Sequence, residues 1–209
     1  HDSYDQNVLL YTACGLVGHH NLTYEWNAPV RTDTPEIQCL YHFDRLGRYG
    51  EDDTTVADFG GSCNDASASG VQFNRTGKFA GAYYLDNAYF DLGATSIFDD
   101  AWSDHTIEFW FKADSVSGSH QLLFEEGGTT NGLNLYLHEG YLYGGYWVSQ
   151  SGVWLNISAT ANEWHYAALI FDGNDNLTLV YDDQARTAAI SDTMPGHSGS
   201  NEIGRTSDT

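Results

Sequence analysis

The stretch GKFAGAYYLDNAYFDLG, residues 77–93, contains two short runs of alternating apolar and aromatic side chains, one on each side of Asp86-Asn87. Alternation with a period of two is typical of a half-buried β-strand, and an Asp-Asn pair suits a tight turn. We therefore predict a β-hairpin with Asp86-Asn87 at its tip. Its aromatic side chains are expected to begin the core of a β-rich domain.

The composition is also typical of a β-protein. Glycine is abundant (22 residues), proline is scarce (3), and aromatic residues reach 14%, which favours short strands joined by tight turns. Acidic residues outnumber basic ones by 29 to 8, so the formal charge is −21. A chain this acidic repels phosphate backbones, and we expect no nucleic-acid partner. No run of eighteen apolar residues occurs, so we expect no membrane span.

Strand-like runs recur at short intervals after residue 38, and no segment has a convincing helical period. This pattern predicts an all-β fold, a two-sheet antiparallel sandwich. Residues 47–68, which are rich in Gly, Asp and Ser, are predicted to form a long surface loop. The predicted strands are 40–43, 71–73, 82–85, 88–92, 106–112, 121–125, 133–137, 141–147, 153–157, 164–171, 176–181 and 187–190.

Five segments in order resemble a known family. They are residues 77–93, 105–114 (HTIEFWFKAD), 131–142 (NGLNLYLHEGYL), 162–173 (NEWHYAALIFDG) with 176–184 (NLTLVYDDQ), and 201–204 (NEIG). Together they resemble the laminin-G-like, concanavalin-A-type jelly roll of many secreted proteins. The resemblance covers residues 39–209, and residues 1–38 form an N-terminal arm outside it. Because this fold carries lectins, enzymes, adhesion modules and structural subunits, the resemblance assigns no function.

The arm contains one apolar, β-prone run, residues 7–13 (NVLLYTA). Chains that resemble this one continue after the NEIG motif with a strand that closes the sheet, whereas only five residues follow Gly204 in this sequence. We hypothesise that Val8, Leu9, Leu10 and Tyr11 complete the sheet of the next copy, which would give a head-to-tail polymer. The protein would then be a structural subunit of an extracellular filament or surface assembly. Two alternatives stay open: the arm folds into its own groove, or a further strand follows residue 209.

The alternative function is a calcium-dependent carbohydrate-binding or adhesion module of a secreted protein. Tyr143, Trp147 and Trp154 are candidates for a sugar platform, because a pyranose ring stacks on an aromatic face. The competing interpretation is that these aromatic side chains belong to the core. Glycans are therefore possible partners, in addition to other copies of the chain.

A structural calcium ion is the one cofactor that the sequence suggests, because calcium prefers several oxygen ligands from loops. Resemblance to pentraxins, which share the sandwich, implies ligands at Asn131 and Asp208. Asp86 and Asn87 at the predicted hairpin tip are a further candidate site, with a plain turn as the competing interpretation.

We expect no catalytic activity. Glycosidases that share this fold carry two carboxylates on one strand, so that both flank one glycosidic bond. Glu125 and Glu126 are adjacent and would point to opposite faces of a strand, and Glu108 has no acidic neighbour on its own face.

Cysteines and glycosylation sequons favour an extracellular or cell-surface location. Cys39 and Cys63 are predicted to form a disulfide that contributes roughly 3 kcal/mol, with Cys14 as the odd residue; the rival pairing is Cys14 with Cys39. Asn156 is expected to point outward, together with Trp154 and Ser158. The Asn-x-Ser/Thr sequons that we expect to carry glycans are Asn21, Asn74, Asn156 and Asn176.

Overall fold

A computed structural model describes residues 8–11, 37–172, 175–190 and 193–205 of the 209-residue chain. Two antiparallel β-sheets pack face to face, so the predicted all-β sandwich is confirmed. One short helix, α1 (Ser96–Asp99), and one 3-10 turn, Gly47–Tyr49, interrupt the strands. The strands are β1 (Val8–Tyr11), β2 (Thr55–Val56), β3 (Ala66–Ser69), β4 (Gln72–Asn74), β5 (Ala82–Leu85), β6 (Tyr89–Asp91), β7 (Asp104–Ala113), β8 (Gln121–Gly127), β9 (Gly132–His138), β10 (Tyr141–Val148), β11 (Ser151–Ser158), β12 (His165–Asp172), β13 (Asn176–Tyr181), β14 (Gln184–Ala189) and β15 (Ser200–Ile203).

The first sheet has seven strands in the order β14-β13-β12-β7-β1-β5-β4. The second sheet has eight strands in the order β11-β10-β9-β8-β15-β6-β3-β2. Strands β8 to β11 follow one another as a meander, with β11 at the edge of the second sheet. Their outer face is therefore one continuous surface built from four neighbouring strands.

The core lies between the sheets and is built from alternate residues of each strand. In β9, Leu133, Leu135 and Leu137 are fully buried, while the residues between them are half-buried on the opposite face. Leu169 of β12 and Leu179 of β13 are fully buried on the facing sheet. Burial of each such side chain stabilises the fold by roughly 1.5–3 kcal/mol before ordering costs, so the period-two pattern determines which face each strand presents.

The predicted hairpin at residues 77–93 is wrong in its pairing, although both strands exist. Strand β5 pairs with β4 and β1 in the first sheet, whereas β6 pairs with β3 and β15 in the second sheet. The turn at Asp86-Asn87 is therefore an arch that carries the chain from one sheet to the other. Asn87 adopts a positive φ of 50°, which asparagine tolerates, and buried Ala88 follows it between the two layers.

Residues 47–68 are more ordered than the predicted surface loop. They contain β2 and the start of β3, and Val56 and Ala66 are both 0% exposed. Local β-propensity does not reveal this, because the sequence of β3 is Ala-Ser-Ala-Ser, and burial is decided by the neighbouring strands. Conversely, the predicted strand 40–43 is reduced to a single bridge between Tyr41 and Asp58.

The arm strand β1 lies inside the chain's own first sheet, between β5 and β7. Leu10 pairs with Tyr83 on one side and with Phe111 on the other, and both partners are fully buried. This arrangement corresponds to the alternative in which the arm folds into its own groove. Donation of the same strand to a neighbouring copy stays a prediction.

The predicted disulfide between Cys39 and Cys63 is present, with Cα atoms 5.3 Å apart. Asp58 organises the loop that this bridge closes, because its carboxylate accepts hydrogen bonds from the backbone N–H groups of Leu40, Gly60, Gly61 and Cys63. Cys14, Asn21 and Asp208 lie outside the described residues. Within the described ranges, no helix has the length and apolar character needed to cross a membrane.

Candidate functional site

The outer surface of strands β8 to β11 carries a row of aromatic side chains. Strand β10 alternates between inward residues, such as Leu142 and Tyr146, and outward residues, such as Tyr143 and Trp147. The antiparallel register places outward residues of β9 and β11 beside them. We call the resulting surface the aromatic face; its members are Tyr136, His138, Tyr141, Tyr143, Trp147 and Trp154.

The two tryptophans of the aromatic face lie close to glycines of the neighbouring strands. A Cβ atom at Gly145 would be only 2.3 Å from Cδ1 of Trp154, and one at Gly132 would be 2.7 Å from Cζ2 of Trp147. Each indole therefore rests on the sheet backbone in space that any larger residue would fill. Because glycine has no side chain at these positions, the rings of Trp147 and Trp154 can lie close to the backbone of the sheet.

The tryptophan rings are held in nearly parallel planes. The ring centroids of Trp147 and Trp154 are 6.2 Å apart, and the planes differ by 10°. Trp147 Nε1–H donates to the carbonyl O of Gly128 at 2.8 Å, and Trp154 Nε1–H donates to Oδ1 of Asn134 at 3.4 Å. Trp154 is nevertheless 44% exposed, so the pair is fixed in orientation and open to solvent.

A second stacked group follows along the same strands. Tyr136 of β9 is directly opposite Tyr143 of β10, and their rings are 5.0 Å apart with planes only 4° from parallel. His138 stacks on His120 at 4.0 Å, and the edge of Tyr141, which is 41% exposed, packs against Tyr143. The aromatic face therefore consists of two stacks. Along β10, Trp147 is four residues (about 13 Å) from Tyr143, and Trp154, which lies opposite Gly145, is two residues (about 6–7 Å) from the level of Tyr143.

Polar groups border the aromatic rings. Asn134 lies beside Trp154, and Asn156 is the cross-strand partner of Tyr143 and is exposed. Burial raises the pKa of Tyr136, and the neighbouring Tyr143 raises it further. Amide and hydroxyl groups beside flat aromatic rings can hydrogen-bond the hydroxyls of a sugar while the rings stack on its apolar faces.

The structure brings together all three residues predicted as a sugar platform. Tyr143 and Trp147 are half-buried and Trp154 is exposed, all on the outer surface, whereas Tyr146 of the same strand is buried in the core. Tyr136 and His138 were not among the residues predicted from the sequence. Their alternation with the leucines of β9 was visible, but their place beside Tyr143 depends on the register between β9 and β10.

The calcium candidates do not converge on one site. Asp86 and Asn87 lie at the arch, where Asn87 Nδ2 donates to Oδ1 of Asp86 at 3.2 Å. Asn131 lies in the turn between β8 and β9, and its Oδ1 accepts the backbone N–H of Ser149 at 2.8 Å. These two places lie at opposite ends of β15. Its first residue, Ser200, pairs with Gly127 on the Asn131 side, and its last residue, Ile203, pairs with Phe90 on the side of the arch. Within the described ranges, no three His, Cys, Asp or Glu side chains are grouped so as to hold a metal.

The predicted glycosylation sites differ in their surroundings. Asn74 and Asn156 are exposed on edge strands of opposite sheets, as the prediction requires for a glycan to fit. Asn176 is half-buried, and its amide donates to Asp172 at 3.1 Å. The predicted alternation in β11 is confirmed, because Trp154, Asn156 and Ser158 are exposed while Ile157 is buried.

A buried carboxylate that the sequence did not reveal lies at the far end of β8. Glu126 is 0% exposed and accepts hydrogen bonds from Trp102 Nε1 at 3.0 Å and from His105 Nε2 at 3.1 Å, and His197 Nε2 lies 3.4 Å away. Burial alone would raise the pKa of Glu126, but the two histidines and the indole outweigh it, and the pKa is lowered. Burial opposes the charge of His197 too, yet Glu126 raises the pKa of that imidazole overall.

The Glu126 cluster links several elements of the fold. His105 and Trp102 stack in nearly parallel planes with ring centroids 4.5 Å apart, and the backbone N–H of His197 donates to the carbonyl O of Asp99. The cluster therefore connects β7, β8, α1 and the segment before β15 around one buried negative charge. A charge buried without such partners would destabilise the fold by several kcal/mol (about 3–5).

Comparison with known proteins identifies the fold family. Residues 85–209, more than half of the chain, match the model of the Laminin_G_3 family, described as the concanavalin A-like lectin/glucanases superfamily. No curated protein sequence matches the chain.

Similar solved structures include three of botulinum neurotoxin. The first is described by the statement that cell entry of type C toxin depends on interaction with two ganglioside molecules. It has a TM-score of 0.56 and 13% sequence identity, and the match covers 81% of this chain and 43% of that one. The type DC binding domain in complex with SialylT has a TM-score of 0.55 and 12% sequence identity, and the match covers 81% of this chain and 43% of that one. The same domain in complex with rat synaptotagmin II has a TM-score of 0.56 and 12% sequence identity, and the match covers 81% of this chain and 44% of that one.

The chain thus spans less than half the length of these structures, and at this identity the likeness concerns the fold alone. The family match and the jelly-roll architecture agree with each other and with the resemblance of the five sequence segments. The chain belongs to the Laminin_G_3 family of the concanavalin A-like lectin/glucanase superfamily.

Proposed function

We propose that this protein is a non-catalytic glycan-binding module of an extracellular protein, and that it binds sugar through the aromatic face. The observation that carries the proposal is the pair of nearly parallel indoles, Trp147 and Trp154, which lie low on the sheet over Gly132 and Gly145. Exposed aromatic rings that are fixed in orientation offer stacking surface at little entropic cost on binding. A purely structural role in the core would leave the exposure of Trp154 unexplained.

The charge of the aromatic face favours a neutral glycan. Strands β8 to β11 contain no lysine or arginine, and the chain as a whole has a formal charge of −21. A sialylated or sulfated sugar would meet no cation on this surface and would be repelled by the protein's overall field. Neutral oligosaccharides have no such penalty, because they can be held by stacking and by the amide of Asn134.

The comparisons support the general class and not the ligand. One neurotoxin structure is described by its interaction with gangliosides, and another by a complex with SialylT. Those proteins share the fold at 12–13% identity, so the sugar bound here is an independent question. The proposal also needs no metal, since its contacts come from rings, amides and hydroxyls.

A glycan array that contains neutral and sialylated oligosaccharides, probed with and without EDTA, tests this function. We expect binding to neutral glycans that EDTA leaves unchanged and that Trp154→Ala reduces about tenfold or more, the loss of roughly 1.4 kcal/mol. Trp110→Ala is the matched control, because Trp110 lies on the first sheet and contacts Phe79 and Tyr166. Equal loss in both variants, or binding confined to sialylated glycans, would contradict the proposal.

A second candidate function is self-assembly by exchange of β1 between copies. What supports it is the position of β1 between β5 and β7, because without this strand the first sheet would divide into two parts with unpaired edges. Twenty-five residues, 12–36, separate β1 from the rest of the described chain. At about 3.3–3.6 Å per residue they could extend up to roughly 80–90 Å, enough to reach the same slot in a neighbouring molecule.

A cysteine pair distinguishes self-closure from exchange. Leu9 and Lys112 are cross-strand partners, with Cα atoms expected about 4.5–5.5 Å apart, so Leu9→Cys combined with Lys112→Cys can form a disulfide. In a Cys14→Ser background, exchange predicts a ladder of covalent oligomers on a non-reducing gel. A single cross-linked monomer at every protein concentration would eliminate this second function.

A further inference from the structure

The glycosylation sequon at Asn156 lies directly beside the aromatic face. Asn156 is exposed at the edge strand β11 and is paired across the ladder with Tyr143. Directly opposite residues of an antiparallel pair have Cβ atoms about 4.5–5.5 Å apart. A sugar linked to Asn156 would therefore begin beside the ring of Tyr143.

The exposed indole of Trp154 lies on the other side of the same asparagine. Trp154 is two residues before Asn156, so both point to the same side of the strand, about 6–7 Å apart along it. The indole lies over Gly145 of the neighbouring strand and over Gly152 of its own strand, so it extends away from Asn156. This leaves the surface between Trp154 and Tyr143 open at the point where the first sugar residue would be attached.

We propose that Asn156 carries an N-linked glycan whose first N-acetylglucosamine residues lie against Trp154 and Tyr143, so that the protein's own glycan occupies part of the aromatic face. The sugar is neutral, which suits a surface without lysine or arginine. An attached ligand needs no diffusional encounter, and its effective concentration is set by a single short linkage, in the millimolar range. Even weak stacking therefore keeps the glycan on the face.

This arrangement has a consequence for the glycan binding proposed above, and that consequence rests on the proposed function. The attached glycan and a free oligosaccharide would compete for the same rings, so occupancy of Asn156 sets how much of the aromatic face is available. Glycosylated protein would bind external neutral glycans weakly, and protein without this glycan would bind them fully.

The other sequons provide matched controls. Asn74 is equally exposed but lies on β4, at the edge of the opposite sheet, where its Oδ1 accepts the backbone N–H of Thr76 at 2.9 Å. A glycan at Asn74 cannot reach the aromatic face across the thickness of the sandwich. Asn74→Gln therefore removes a glycan of the same kind without changing what covers Trp154.

The experiment compares wild-type protein, Asn156→Gln and Asn74→Gln, all secreted from an N-glycosylating host. Glycopeptide mass spectrometry gives occupancy, and hydroxyl-radical footprinting gives the accessibility of Trp154 and Tyr143 residue by residue. We expect Asn156 to be occupied and oxidation of Trp154 to rise about twofold or more in Asn156→Gln, since one face of the indole already rests on the sheet and a stacked sugar shields the exposed part. Asn74→Gln should match the wild type. A bare Asn156, or equal oxidation in all three proteins, overturns the inference.

Binding of N,N′-diacetylchitobiose, followed by NMR, separates this inference from the proposed function. If Asn156→Gln binds this probe and the glycosylated wild type does not, both stand. If neither protein binds any sugar but the footprint of the attached glycan is present, the external function fails while the attached glycan remains assigned to the face. If both proteins bind equally, the function stands and occupation of the face by the attached glycan is wrong.

Discussion

Two adjacent glycines on β10 provide a test that separates the aromatic face from the core. Gly145 faces outward and Gly144 faces inward, because successive residues of a strand point to opposite sides. A Cβ at Gly145 would be 2.3 Å from Cδ1 and 2.6 Å from Cγ of Trp154, whereas a Cβ at Gly144 would be 2.8 Å from Cδ1 of Leu179. The same substitution, glycine to alanine, thus disturbs either the face or the core.

The expected energies follow from these contacts. In Gly145→Ala the indole must leave its position, and loss of the stack with Trp147 costs about 0.5–1.5 kcal/mol. Replacing glycine in a strand recovers about 0.5–1 kcal/mol of backbone entropy, so the free energy of unfolding should change by less than about 1 kcal/mol. In Gly144→Ala the added methyl presses on Leu179 and Leu169, and overpacking of this kind costs about 1–3 kcal/mol, which the same gain in backbone entropy only partly offsets.

Calorimetry and glycan binding together distinguish the variants. At about 2–4 °C per kcal/mol for a chain of this size, Gly145→Ala should melt within about 4 °C of the wild type and bind neutral glycans about tenfold more weakly. Gly144→Ala should melt several degrees lower and bind normally. Wild-type affinity in Gly145→Ala, with near-ultraviolet circular dichroism proving that Trp154 has moved, would mean that the indole is not part of a binding surface.

Three further outcomes are expected from the rest of the sandwich. Replacing Cys39 and Cys63 by alanine should lower the free energy of unfolding by about 3–3.5 kcal/mol in chemical denaturation, the loop-closure value for a separation of 24 residues, and no loss would mean that the bridge is not formed. Asp58→Ala should cost about 1–3 kcal/mol, since it leaves backbone N–H groups unsatisfied, and an unchanged melting temperature would contradict its role. The lowered pKa of Glu126 stabilises the fold above its ordinary value of about 4.5, and the raised pKa of His197 does so below about 6.5. The melting-temperature difference between the wild type and Glu126→Gln should therefore peak between these pH values, and a flat difference would exclude the ion pair.

Strand existence was predictable from local pattern, but strand partnership was not. The alternation in 82–85 and in 176–181 predicts β5 and β13 with their observed bounds. The same alternation flanks Asp86-Asn87 whether the two strands form a hairpin or an arch. The difference lies in distant partners, since β15 and β3 are the strands that pair with β6.

The candidate site was predictable only in part, for a similar reason. Trp147 and Trp154 stand out in sequence as aromatic residues within β-prone runs. The glycines beneath them and the tyrosine beside Tyr143 come from neighbouring strands, and their positions depend on register. Glu126 and His197 are further apart still, and no local spacing indicates that a buried carboxylate would find imidazole partners.

Titration of isotope-labelled protein with a neutral oligosaccharide, followed by amide and indole NMR, reports where the sugar binds. We expect the indole N–H signals of Trp147 and Trp154 and the amides of β9 to β11 to shift, while the signals of the first sheet, including Trp110, stay unchanged. The protein should be prepared without N-glycans, so that the face is free. Shifts confined to the arch at Asp86-Asn87 or to the first sheet, or no shifts with any neutral glycan, would contradict glycan binding by the aromatic face.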